Sequence, residues 1–475
     1  MAKTNNIDQQ QLITTLEEIV GSDYLSTSVF ERIKSSLDIF PYEKKREDLP
    51  LAVVMPKDKD EIAAIINYAN QEKIPVYVRG SGTSFTGAAR YPEPGIVINT
   101  RRLRYFHIDF ENNFFECGPG HTCNEIAERL RKEGYFLPFA PGSKLIASMG
   151  GLVSNNTSAH IIDASIGKPG DYILGVEAVL PTGEILETGT TGLRRPAGND
   201  LTKFFVGGDG LFGVITNIRM RLVPDFCRSF GLLVYKDLAA LARGVQNFYY
   251  DRCPVPLFME FMDEKTANIG FDLKELPRPG GPVIMFVAIG HTPEQAEWAA
   301  DRIVAAMSKE NPLVAEKITD LEKWEILWTT REVIGSYLMQ STGDQWISAE
   351  VVANLKGLET CMEEVVNFTK DLPLLSTLDS YLFGHIGALT MHPGVIIPKA
   401  WDDARKMQAV DEKFARETAL NLKYQTCGGE WGQFAKRTDF FAQRYGSQGI
   451  GIIKNMKKMF DPNNILNRGI LEGLS

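Results

Sequence analysis

A short apolar run that leads into a loop of small residues restricts the fold of this chain more than any other feature of its sequence. The run Val76–Val78 predicts a strand, and Arg79-Gly80-Ser81-Gly82-Thr83-Ser84 follows it directly. Glycine permits positive φ and close approach of the main chain, so the backbone N–H groups of such a loop can surround an anion. The hydroxyls add donors and the arginine adds a positive charge. A phosphate or pyrophosphate suits this loop, although an ordinary glycine-rich turn has the same composition.

Two further runs of glycine and hydroxyl residues, Pro141–Asn156 and Val206–Thr216, lie beside strand-like segments. Three loops of this kind predict a long, flat cofactor that carries phosphate groups. Their spacing does not support an ATP-type P-loop, which needs G-x-x-x-x-G-K-[ST]. A Rossmann dinucleotide site is not supported either, because no run has G-x-G-x-x-G at the start of a helix in a βαβ unit.

Length and charge argue against several classes of protein. With 475 residues, the chain is long enough for two or three domains. Its net charge of −9 argues against nucleic acid or an anionic membrane surface as the main partner. A spanning helix needs about 18 consecutive apolar residues, and the sequence has no such run. The N-terminus lacks the apolar core of a signal peptide, which predicts a cytoplasmic protein, with membrane association through a partner as the alternative.

The cysteines give no sign of a cluster. All six are scattered along the chain and none forms a C-x-x-C pair. Neither an iron–sulfur cluster nor a cysteine-type zinc site is therefore indicated. Reduced thiols in a cytoplasm are the expectation.

The spacing of apolar residues predicts an α+β protein. Residues 8 to about 40 are predicted to be helical, and Asp58–Glu61 has the sequence of a capping box that begins a helix between two short strands. Short strands follow to about residue 222. From about residue 228 strands alternate with helices, with one strand predicted over Phe258–Met262. This second pattern favours a sheet with helices on one face.

Several motifs, in this order, make the chain resemble a known family. It is similar to the FAD-linked oxidases of the vanillyl-alcohol-oxidase and p-cresol-methylhydroxylase superfamily, and most of all to the branch of the glycolate oxidase D-subunit and D-lactate dehydrogenase. The matching segments, in chain order, are Arg79–Ser84, Pro141–Asn156, Asp171–Ile185, Ala197–Lys203, Val206–Thr216, Trp328–Glu332, Gly384–Gly387 and Asp461–Asn467. Each segment is short, and their shared order along nearly the whole chain carries the resemblance.

The resemblance implies a domain arrangement and a cofactor. It implies an N-terminal helical segment (1–45), a two-lobed FAD-binding domain of the p-cresol-methylhydroxylase type (46–226), a cap domain for the substrate with an antiparallel sheet (227–425), and a C-terminal segment that returns to the FAD domain (426–475). FAD is expected to bind without a covalent link, because Ser81-Gly82-Thr83 stands where members with a histidyl link often carry histidine. The expected FAD-binding residues are Arg79, Gly80, Ser81, Gly82, Thr83, Ser84, Pro141, Gly142, Ser143, Ser148, Gly151, Ser154, Ile215 and Asn467.

Arg331 is the residue expected to bind the substrate carboxylate. A guanidinium offers a planar pair of donors that matches a carboxylate. The sequence Trp328-Thr-Thr-Arg331 matches the family's Trp-x-x-Arg. The alternative is an arginine on a helix surface that pairs with Glu332 or Glu325.

His385, His392 and Glu430 are the expected metal ligands. Two histidines and one carboxylate suit a zinc-like site with an open position. Two structural histidines and a capping carboxylate would also explain these residues. The resemblance implies a divalent metal at these positions, such as Zn, Mn or Fe, and a catalytic role for all three residues.

Two departures from the family motifs affect the expected chemistry. Gly387-Ala388-Leu389-Thr390 replaces the family's Gly-Asp-Gly-Asn, and Trp431 replaces the histidine that is expected to accept the proton. An indole is only a donor, so it cannot accept that proton. Trp431 would enlarge the apolar wall and favour an aryl or bulky acyl substrate, or it is simple packing. The residues considered as replacement bases are His160, Tyr337, Glu350 and Tyr381.

The resemblance implies a two-electron oxidation of a 2-hydroxy acid to the 2-oxo acid, with hydride transfer to the flavin. The electrons are expected to pass to a partner protein such as an iron–sulfur subunit, in a homo- or hetero-oligomer, because the chain has no cluster motif of its own. Two alternatives stay open. One is an aryl-alcohol or alkylphenol oxidoreductase of the same superfamily, and the other is an FAD-carrying electron-transfer subunit of a larger complex.

Overall fold

A computed structural model describes residues 8–38, 40, 48–84, 87, 91–139, 141–157, 159–192, 198–340, 345–428 and 438–471. The chain divides into two compact units. Unit 1 comprises Met1–Thr157, Lys168–Pro224 and Gly429–Ser475, and unit 2 comprises Ser158–Gly167 and Asp225–Gly428. Among the described residues, no helix combines the length and the apolar character that crossing a membrane requires.

The helices and strands are numbered in chain order. The helices are α1 (Gln9–Val20), α2 (Val29–Ser35), α3 (Lys59–Glu72), α4 (Cys123–Lys132), α5 (Met149–Asn155), α6 (Asp163–Ile166), α7 (Thr202–Phe205), α8 (Leu238–Tyr250), α9 (Glu264–Leu273), α10 (Pro293–Met307), α11 (Leu321–Gln340), α12 (Leu358–Val366), α13 (Asp403–Lys423) and α14 (Thr438–Phe460). The strands are β1 (Leu25–Ser26), β2 (Ala52–Val54), β3 (Val76–Arg79), β4 (Ile96–Asn99), β5 (Phe106–Asp109), β6 (Phe114–Cys117), β7 (Tyr135–Phe136), β8 (Ile173–Val179), β9 (Ile185–Glu187), β10 (Val214–Arg221), β11 (Val223–Pro224), β12 (Cys227–Val234), β13 (Phe258–Met262), β14 (Val283–Gly290), β15 (Val314–Ile318), β16 (Gln345–Ser348), β17 (Val351–Val352), β18 (Ser380–Gly384) and β19 (Thr390–Ile397).

Unit 1 contains two main sheets. The first has the order β1-β2-β4-β3, and the second has the order β5-β6-β10-β8-β9. Helix α3 begins where the capping box predicts, because the Asp58 side chain accepts a hydrogen bond from the Glu61 N–H. Its buried face, Ile62 to Ala69, packs with the strands of the first sheet in one core. Strands β2 and β3 are parallel as a βαβ unit requires, but β4 lies between them and pairs with both.

The N-terminal segment is less helical than its sequence pattern predicts. Helix α1 ends at Gly21, which has a φ of 82° and so adopts a conformation that favours glycine. A single 3-10 turn, Ser22–Tyr24, follows, and the next two residues form β1, which pairs antiparallel with β2. A new helix starts only at Val29, where Ser28 caps it. The segment therefore adds a strand edge to the first sheet as well as helices.

Unit 2 is built on an eight-stranded sheet with the order β15-β12-β14-β13-β18-β19-β16, and β17 pairs with β19 off this path. The strand pairs are antiparallel. Strand β13 has a partner on each side, β14 and β18, so its backbone is inside the sheet. The predicted α+β class, with an antiparallel sheet in the second region, is confirmed.

The C-terminal residues of unit 1 are joined to strand β3. Leu466 forms a parallel bridge with Val76, and the Asn467 N–H donates to the Val76 carbonyl at 2.8 Å. The Asn467 side chain accepts from the Val78 N–H at 3.0 Å and donates to the Gly210 carbonyl at 2.8 Å. One asparagine therefore connects the strand that precedes the first glycine-rich loop with the third glycine-rich run.

A buried ion pair holds this C-terminal connection in place. Lys457 is 7% exposed, and its ammonium group donates to the Asp461 carboxylate at 2.7 Å and to the carbonyls of Leu211 and Leu466. The Asp461 carboxylate also accepts from the N–H groups of Ile465 and Leu466. Every ammonium proton thus has an acceptor, which compensates for the burial of the charge.

We expect Lys457→Met to destabilise the protein by about 3–5 kcal/mol, because it leaves the Asp461 carboxylate buried without its counter-charge. The free energy of unfolding, measured by denaturant titration, checks this. Lys458→Met is the matched control, since Lys458 is the exposed neighbour and such a change typically alters stability by less than about 0.5 kcal/mol. Equal stability of the two variants would contradict the assignment of the buried pair.

Candidate active site

The first and second glycine-rich runs, both in unit 1, are in contact. A Cβ atom built on Gly80 overlaps the Ser148 hydroxyl, so the two loops approach more closely there than any larger residue allows. Ser148 also caps α5 by accepting a hydrogen bond from the Gly151 N–H at 3.4 Å. Pro141, Gly142 and Ser143 lie in the turns before this helix, where the Lys144 N–H donates to the Pro141 carbonyl.

The third run joins the same group through its backbone. The Gly207 N–H donates to the Val153 carbonyl at 3.1 Å, and the Asp209 N–H donates to the Ser154 carbonyl at 3.0 Å. Ile215 is buried in the adjoining strand β10. The structure therefore gathers residues of all three runs within unit 1.

Arg79 lies at the base of the first loop. It is 8% exposed, and a Cβ on Gly82 would overlap its guanidinium, so Gly82, with a φ of 71°, is required for the loop to fold over the arginine. Among the described residues its Nη1 has no hydrogen-bond acceptor. A buried cationic donor without a protein acceptor costs free energy, and a phosphate group would satisfy it. These residues fit the pyrophosphate of FAD.

A polar cluster in the middle of unit 2 is the second part of the candidate site. At its centre is Glu260 of β13, whose side chain is 0% exposed. One carboxylate oxygen, Oε1, lies 2.5 Å from Nδ1 of His385 and 3.3 Å from Nδ1 of His160. The other, Oε2, lies 2.8 Å from Nη2 of Arg331. One carboxylate thus faces three basic side chains from three separate segments.

The elements around the cluster explain its geometry. β13 and β18 are neighbours in the sheet, so Glu260 and the residue that follows β18, His385, come close together. At the end of β18, Gly384 lies close against the Thr390 carbonyl, which a Cβ atom there would overlap. Arg331 comes from α11, and its guanidinium carbon lies 4.4 Å from the centre of the Phe383 ring. Arg331 is 5% exposed, so it is buried and is not the surface arginine of the alternative interpretation.

The electrostatics of the cluster favour a charged Glu260. Burial by itself raises the pKa of this carboxyl, but His385, His160 and Arg331 outweigh burial and hold the pKa well below its usual range. Burial lowers the pKa of His160, although Glu260 opposes that shift. A charged carboxylate at the centre is the state that these neighbours stabilise.

Hydrogen bonds define the tautomers of two histidines. The His385 Nδ1 faces the charged Glu260 carboxylate, so this nitrogen carries the proton and donates it. The His392 Nδ1 lies 3.1 Å from the Ala349 carbonyl, which can only accept, so this nitrogen is also the donor. In the neutral form of each ring, Nε2 then carries the lone pair. The two ring centres are 4.9 Å apart.

A row of aromatic rings lies beside the cluster. Phe230 stacks on Trp324, Trp324 on Trp328, and Trp328 on Phe258, with ring centres 4.6 to 5.8 Å apart. The His160 ring contacts Trp328 edge-on, with 5.6 Å between the centres. The predicted carboxylate anchor, Arg331, is one helical turn from Trp328 on α11, so an apolar wall adjoins the charged group.

The structure brings together some of the predicted site residues. His385 and His392 are neighbours, whereas Glu430 and Trp431 lie outside the described residues, so the expected metal trio stays a prediction.

Of the residues considered as bases, His160 contacts the cluster directly. Tyr381 lies on β18, where burial raises its pKa and the Lys265 ammonium lies 4.3 Å from its ring centre. Glu350 is buried, and Tyr337 is half-buried on α11.

Glu260 is the residue that sequence reasoning missed. It is the acidic residue in the apolar strand Phe258-Met-Glu-Phe-Met262. A carboxylate in a strand that is buried on both sides needs a partner, so this pattern was a usable signal. The partner itself could not be read from the sequence, because Arg331 and His385 are 71 and 125 positions further along the chain.

Comparisons with known proteins agree with this architecture. A family model described as "FAD binding domain" matches residues 50–189, and one described as "FAD linked oxidases, C-terminal domain" matches residues 227–471. The second match alone covers more than half of the chain. The chain belongs to the FAD-linked oxidases.

Relatives place it within that family. Glycolate oxidase subunit GlcD of Bacillus subtilis (strain 168) is 27% identical over 469 residues, which cover 97% of this chain and 96% of the relative. D-lactate dehydrogenase of Archaeoglobus fulgidus is 25% identical over 438 residues, covering 88% and 90%. The protein is therefore an FAD-linked oxidoreductase of this branch, and the predicted family is confirmed.

A solved structure shows the same fold. The structure of p-cresol methylhydroxylase with substrate bound superposes with a TM-score of 0.79 at 15% identity, over 97% of this chain and 96% of that one. At this identity the likeness concerns the fold alone. It confirms the predicted p-cresol-methylhydroxylase type of FAD-binding fold.

We expect Gly80→Ala to weaken FAD binding by about tenfold or more, because the new methyl group forces the first loop away from Ser148, and overpacking of this kind costs about 1–3 kcal/mol. FAD per chain, measured from flavin absorbance after purification and after titration with FAD, checks this. Gly451→Ala on α14 is the control, since a Cβ there meets nothing within 4 Å. An unchanged FAD affinity in Gly80→Ala would show that the loop contact is not needed.

Proposed function

We propose that this protein oxidises a 2-hydroxy acid to the 2-oxo acid with non-covalently bound FAD and passes the electrons to a partner acceptor. The observation that carries the proposal is the Arg331 guanidinium. It is 95% buried, and its Nε has no hydrogen-bond partner among the described residues. The substrates named for the glycolate oxidase and D-lactate dehydrogenase relatives belong to the same chemical class.

The substrate carboxylate is the group that suits Arg331. Its Nη2 is occupied by Glu260 at 2.8 Å, and Phe383 covers the guanidinium at 4.4 Å. The buried Nε–H then needs an acceptor, and an anionic oxygen makes the strongest hydrogen bond with it. We infer that the bound carboxylate supplies this acceptor.

The substrate hydroxyl is proposed to lie at the two imidazoles. His385 and His392 both hold their Nδ1 protons in hydrogen bonds, so in the neutral form of each ring Nε2 is the nitrogen that can act as a ligand. A histidine whose second nitrogen donates to a carboxylate or a carbonyl is the usual form of a metal ligand, so these residues fit a divalent metal. A metal held there would supply a Lewis acid that lowers the pKa of the alcohol, and bound FAD would supply the hydride acceptor. Glu430 is proposed as the third ligand.

The aromatic row favours a second candidate, an aryl-alcohol or alkylphenol oxidoreductase. Trp328 and Phe258 are only half-buried, and their stacked rings, 5.8 Å apart, adjoin the polar cluster. Flat aromatic surfaces of this kind suit an aryl group in an offset stack. The two candidates differ in their need for a carboxylate on the substrate.

The electron acceptor is proposed to be a partner protein. The chain has no cysteine motif for a redox cluster, so a flavin reduced by substrate needs an external acceptor. One relative is named as a subunit of glycolate oxidase. We infer that this protein works in a complex with an electron-transfer subunit.

An anaerobic spectrum of the purified protein tests the proposal. Flavin absorbance near 450 nm (about where oxidised flavin absorbs) is followed while D- and L-2-hydroxy acids, and then aryl alcohols, are added. Bleaching by a hydroxy acid supports the proposal and gives the stereochemistry. Bleaching by aryl alcohols alone supports the second candidate. A flavin that neither class reduces overturns both and favours an electron-transfer subunit.

Arg331→Lys should lower kcat/KM for the hydroxy acid by about 100-fold or more, because an ammonium group cannot hold Glu260 and the carboxylate in one plane. Arg331→Ala should lower it further. Stopped-flow flavin reduction measures both. Arg278→Lys is the control, since Arg278 is 64% exposed and pairs with Asp272 at the surface. If Arg331→Lys reacts like the wild type, the carboxylate site lies elsewhere.

His392→Ala should lower the metal content at least tenfold and leave the FAD content unchanged, since the imidazole is proposed as a ligand. Metal per chain, measured by elemental mass spectrometry after growth with Zn²⁺, Mn²⁺ or Fe²⁺, checks this. His291→Ala is the matched control, because His291 is exposed on the surface of unit 2. Wild-type protein without any of these metals would contradict the metal proposal while leaving the carboxylate proposal standing.

A further inference from the structure

We propose that Glu260 is a positioning residue that orients the Arg331 guanidinium toward the substrate carboxylate and fixes the proton of His385 on Nδ1. The inference rests on the proposed function, since it assigns a role within that site. It concerns a residue that no motif of the sequence points to. The argument depends on what each oxygen of the carboxylate contacts.

Both oxygens of Glu260 are engaged, and in different ways. Oε1 faces His385 Nδ1 at 2.5 Å, and Oε2 faces Arg331 Nη2 at 2.8 Å. The carboxylate is fully buried, Glu260 pairs with Met285 of β14, and the pairing with β18 begins at the next residue, Phe261, so the sheet restrains the backbone at this position. Arg331 comes from α11 and His385 from the end of β18. Glu260 is therefore a rigid link between the two predicted functional side chains.

A metal-ligand role for Glu260 fits these contacts poorly. Ligand atoms of His160, Glu260 and His385 lie within 4.8 Å of one another, which by itself would suit a cation. A guanidinium has no lone pair, however, and its charge opposes a cation at the same carboxylate. His385 Nδ1 must carry a proton at 2.5 Å from a carboxylate, so it has no lone pair to donate. The carboxylate orients the ligands and does not bind the metal itself.

The link restrains Arg331 in two directions. The Glu260 carboxylate lies 2.8 Å from Nη2 as an ion-pair partner, and the centre of the Phe383 ring lies 4.4 Å from the guanidinium carbon. Within the described part of the chain the Nε–H has no acceptor, so its direction follows from the contacts of the rest of the guanidinium. An oriented donor binds a carboxylate better than a mobile one, because less conformational freedom is lost on binding.

The link also acts on His385. An imidazole in solution exchanges between two tautomers, and only one of them has the lone pair on Nε2. The Glu260 carboxylate stabilises the form with the proton on Nδ1. His392 reaches the same form through the Ala349 backbone carbonyl, without Glu260. His392 is therefore an internal control for any effect of Glu260 on tautomers.

A double-mutant cycle separates positioning from a purely structural role. Glu260→Gln, Arg331→Ala and the double variant are compared by stopped-flow reduction of the flavin with the most active hydroxy acid. We expect Glu260→Gln to lower kcat/KM by about 30-fold or more in the wild-type background, with a rise in KM, and by less than about threefold in the Arg331→Ala background. Effects that simply multiply would overturn a role through Arg331.

Asp263→Asn is the matched control for this cycle. Asp263 caps α9 three residues after Glu260, and its pKa is raised by burial. Asparagine caps helices about as well as aspartate, so the same change from acid to amide should leave the kinetics unaltered. A loss of activity in this control as large as that in Glu260→Gln would mean that any buried acid near β13 is needed for folding, and would overturn the proposal.

The tautomer of His385 gives a readout that needs no substrate. Metal-free protein labelled with ¹⁵N-histidine is prepared by dialysis against EDTA, and the six histidines are assigned with single variants. In the wild type, the proton of His385 should be on Nδ1. In the Glu260→Met/Arg331→Met variant, which leaves no buried charge unpaired, His385 should exchange between tautomers while His392 is unchanged. The same single tautomer of His385 in both proteins would overturn its positioning by Glu260.

The two levels of the proposal fail in different ways. If no hydroxy acid reduces the wild-type flavin, the proposed function is wrong, and the His385 tautomer then decides the role of Glu260. The wild type could be active while the effects of the two substitutions on kcat/KM simply multiply and the His385 tautomer is the same with and without Glu260. The proposed function would then stand, and the inference about Glu260 would be wrong. Non-multiplicative effects of the Glu260 and Arg331 substitutions on kcat/KM, together with a His385 tautomer that depends on Glu260, support both the proposed function and the role of Glu260.

Discussion

A carboxylate buried in a β-sheet needs basic partners close to it, and in this protein that requirement determines which side chains meet at the centre of unit 2. An isolated buried charge costs several kcal/mol. Glu260 avoids that cost through Arg331 and His385, which come from α11 and from the end of β18. Because β13 is paired with β14 and β18, the sheet restrains the position of the carboxylate that the guanidinium and the imidazole contact. The pair that stabilises the fold is also the pair that prepares the proposed substrate site.

Unit 1 depends on close contacts between backbones. Gly80 and Gly82 let the first loop approach Ser148 and fold over Arg79, and side chains at these positions would overlap those neighbours. Asn467 adds hydrogen bonds to both β3 and Gly210. The glycine-rich runs are distant in sequence, and these connections, with the backbone hydrogen bonds from Gly207 and Asp209 to the second run, bring the three loops together within unit 1.

Local chemistry explains which parts of the fold could be predicted. The capping box at Asp58 marks the start of α3, and the strand predicted over Phe258–Met262 has those bounds in the structure. The α+β class followed from the spacing of apolar residues, and the family followed from the order of the motifs. The insertion of β4 between β2 and β3 did not, because pairing between parallel strands leaves little signal in either strand. The buried state of Arg331 could not be predicted either, because an arginine on an exposed helix could have the same sequence neighbours.

By itself, the sequence determined the types of group available: three runs of small residues for a phosphate-bearing cofactor, one arginine in a family motif, and histidines separated by turns. These properties are local, because glycine, hydroxyl and imidazole groups carry their chemistry wherever they lie. Only the tertiary structure decided which groups meet. Glu260 became the common partner of Arg331, His385 and His160 because the pairing of β13 with β18 and the packing of α11 bring distant residues within hydrogen-bond distance, and burial there makes each charge depend on the others.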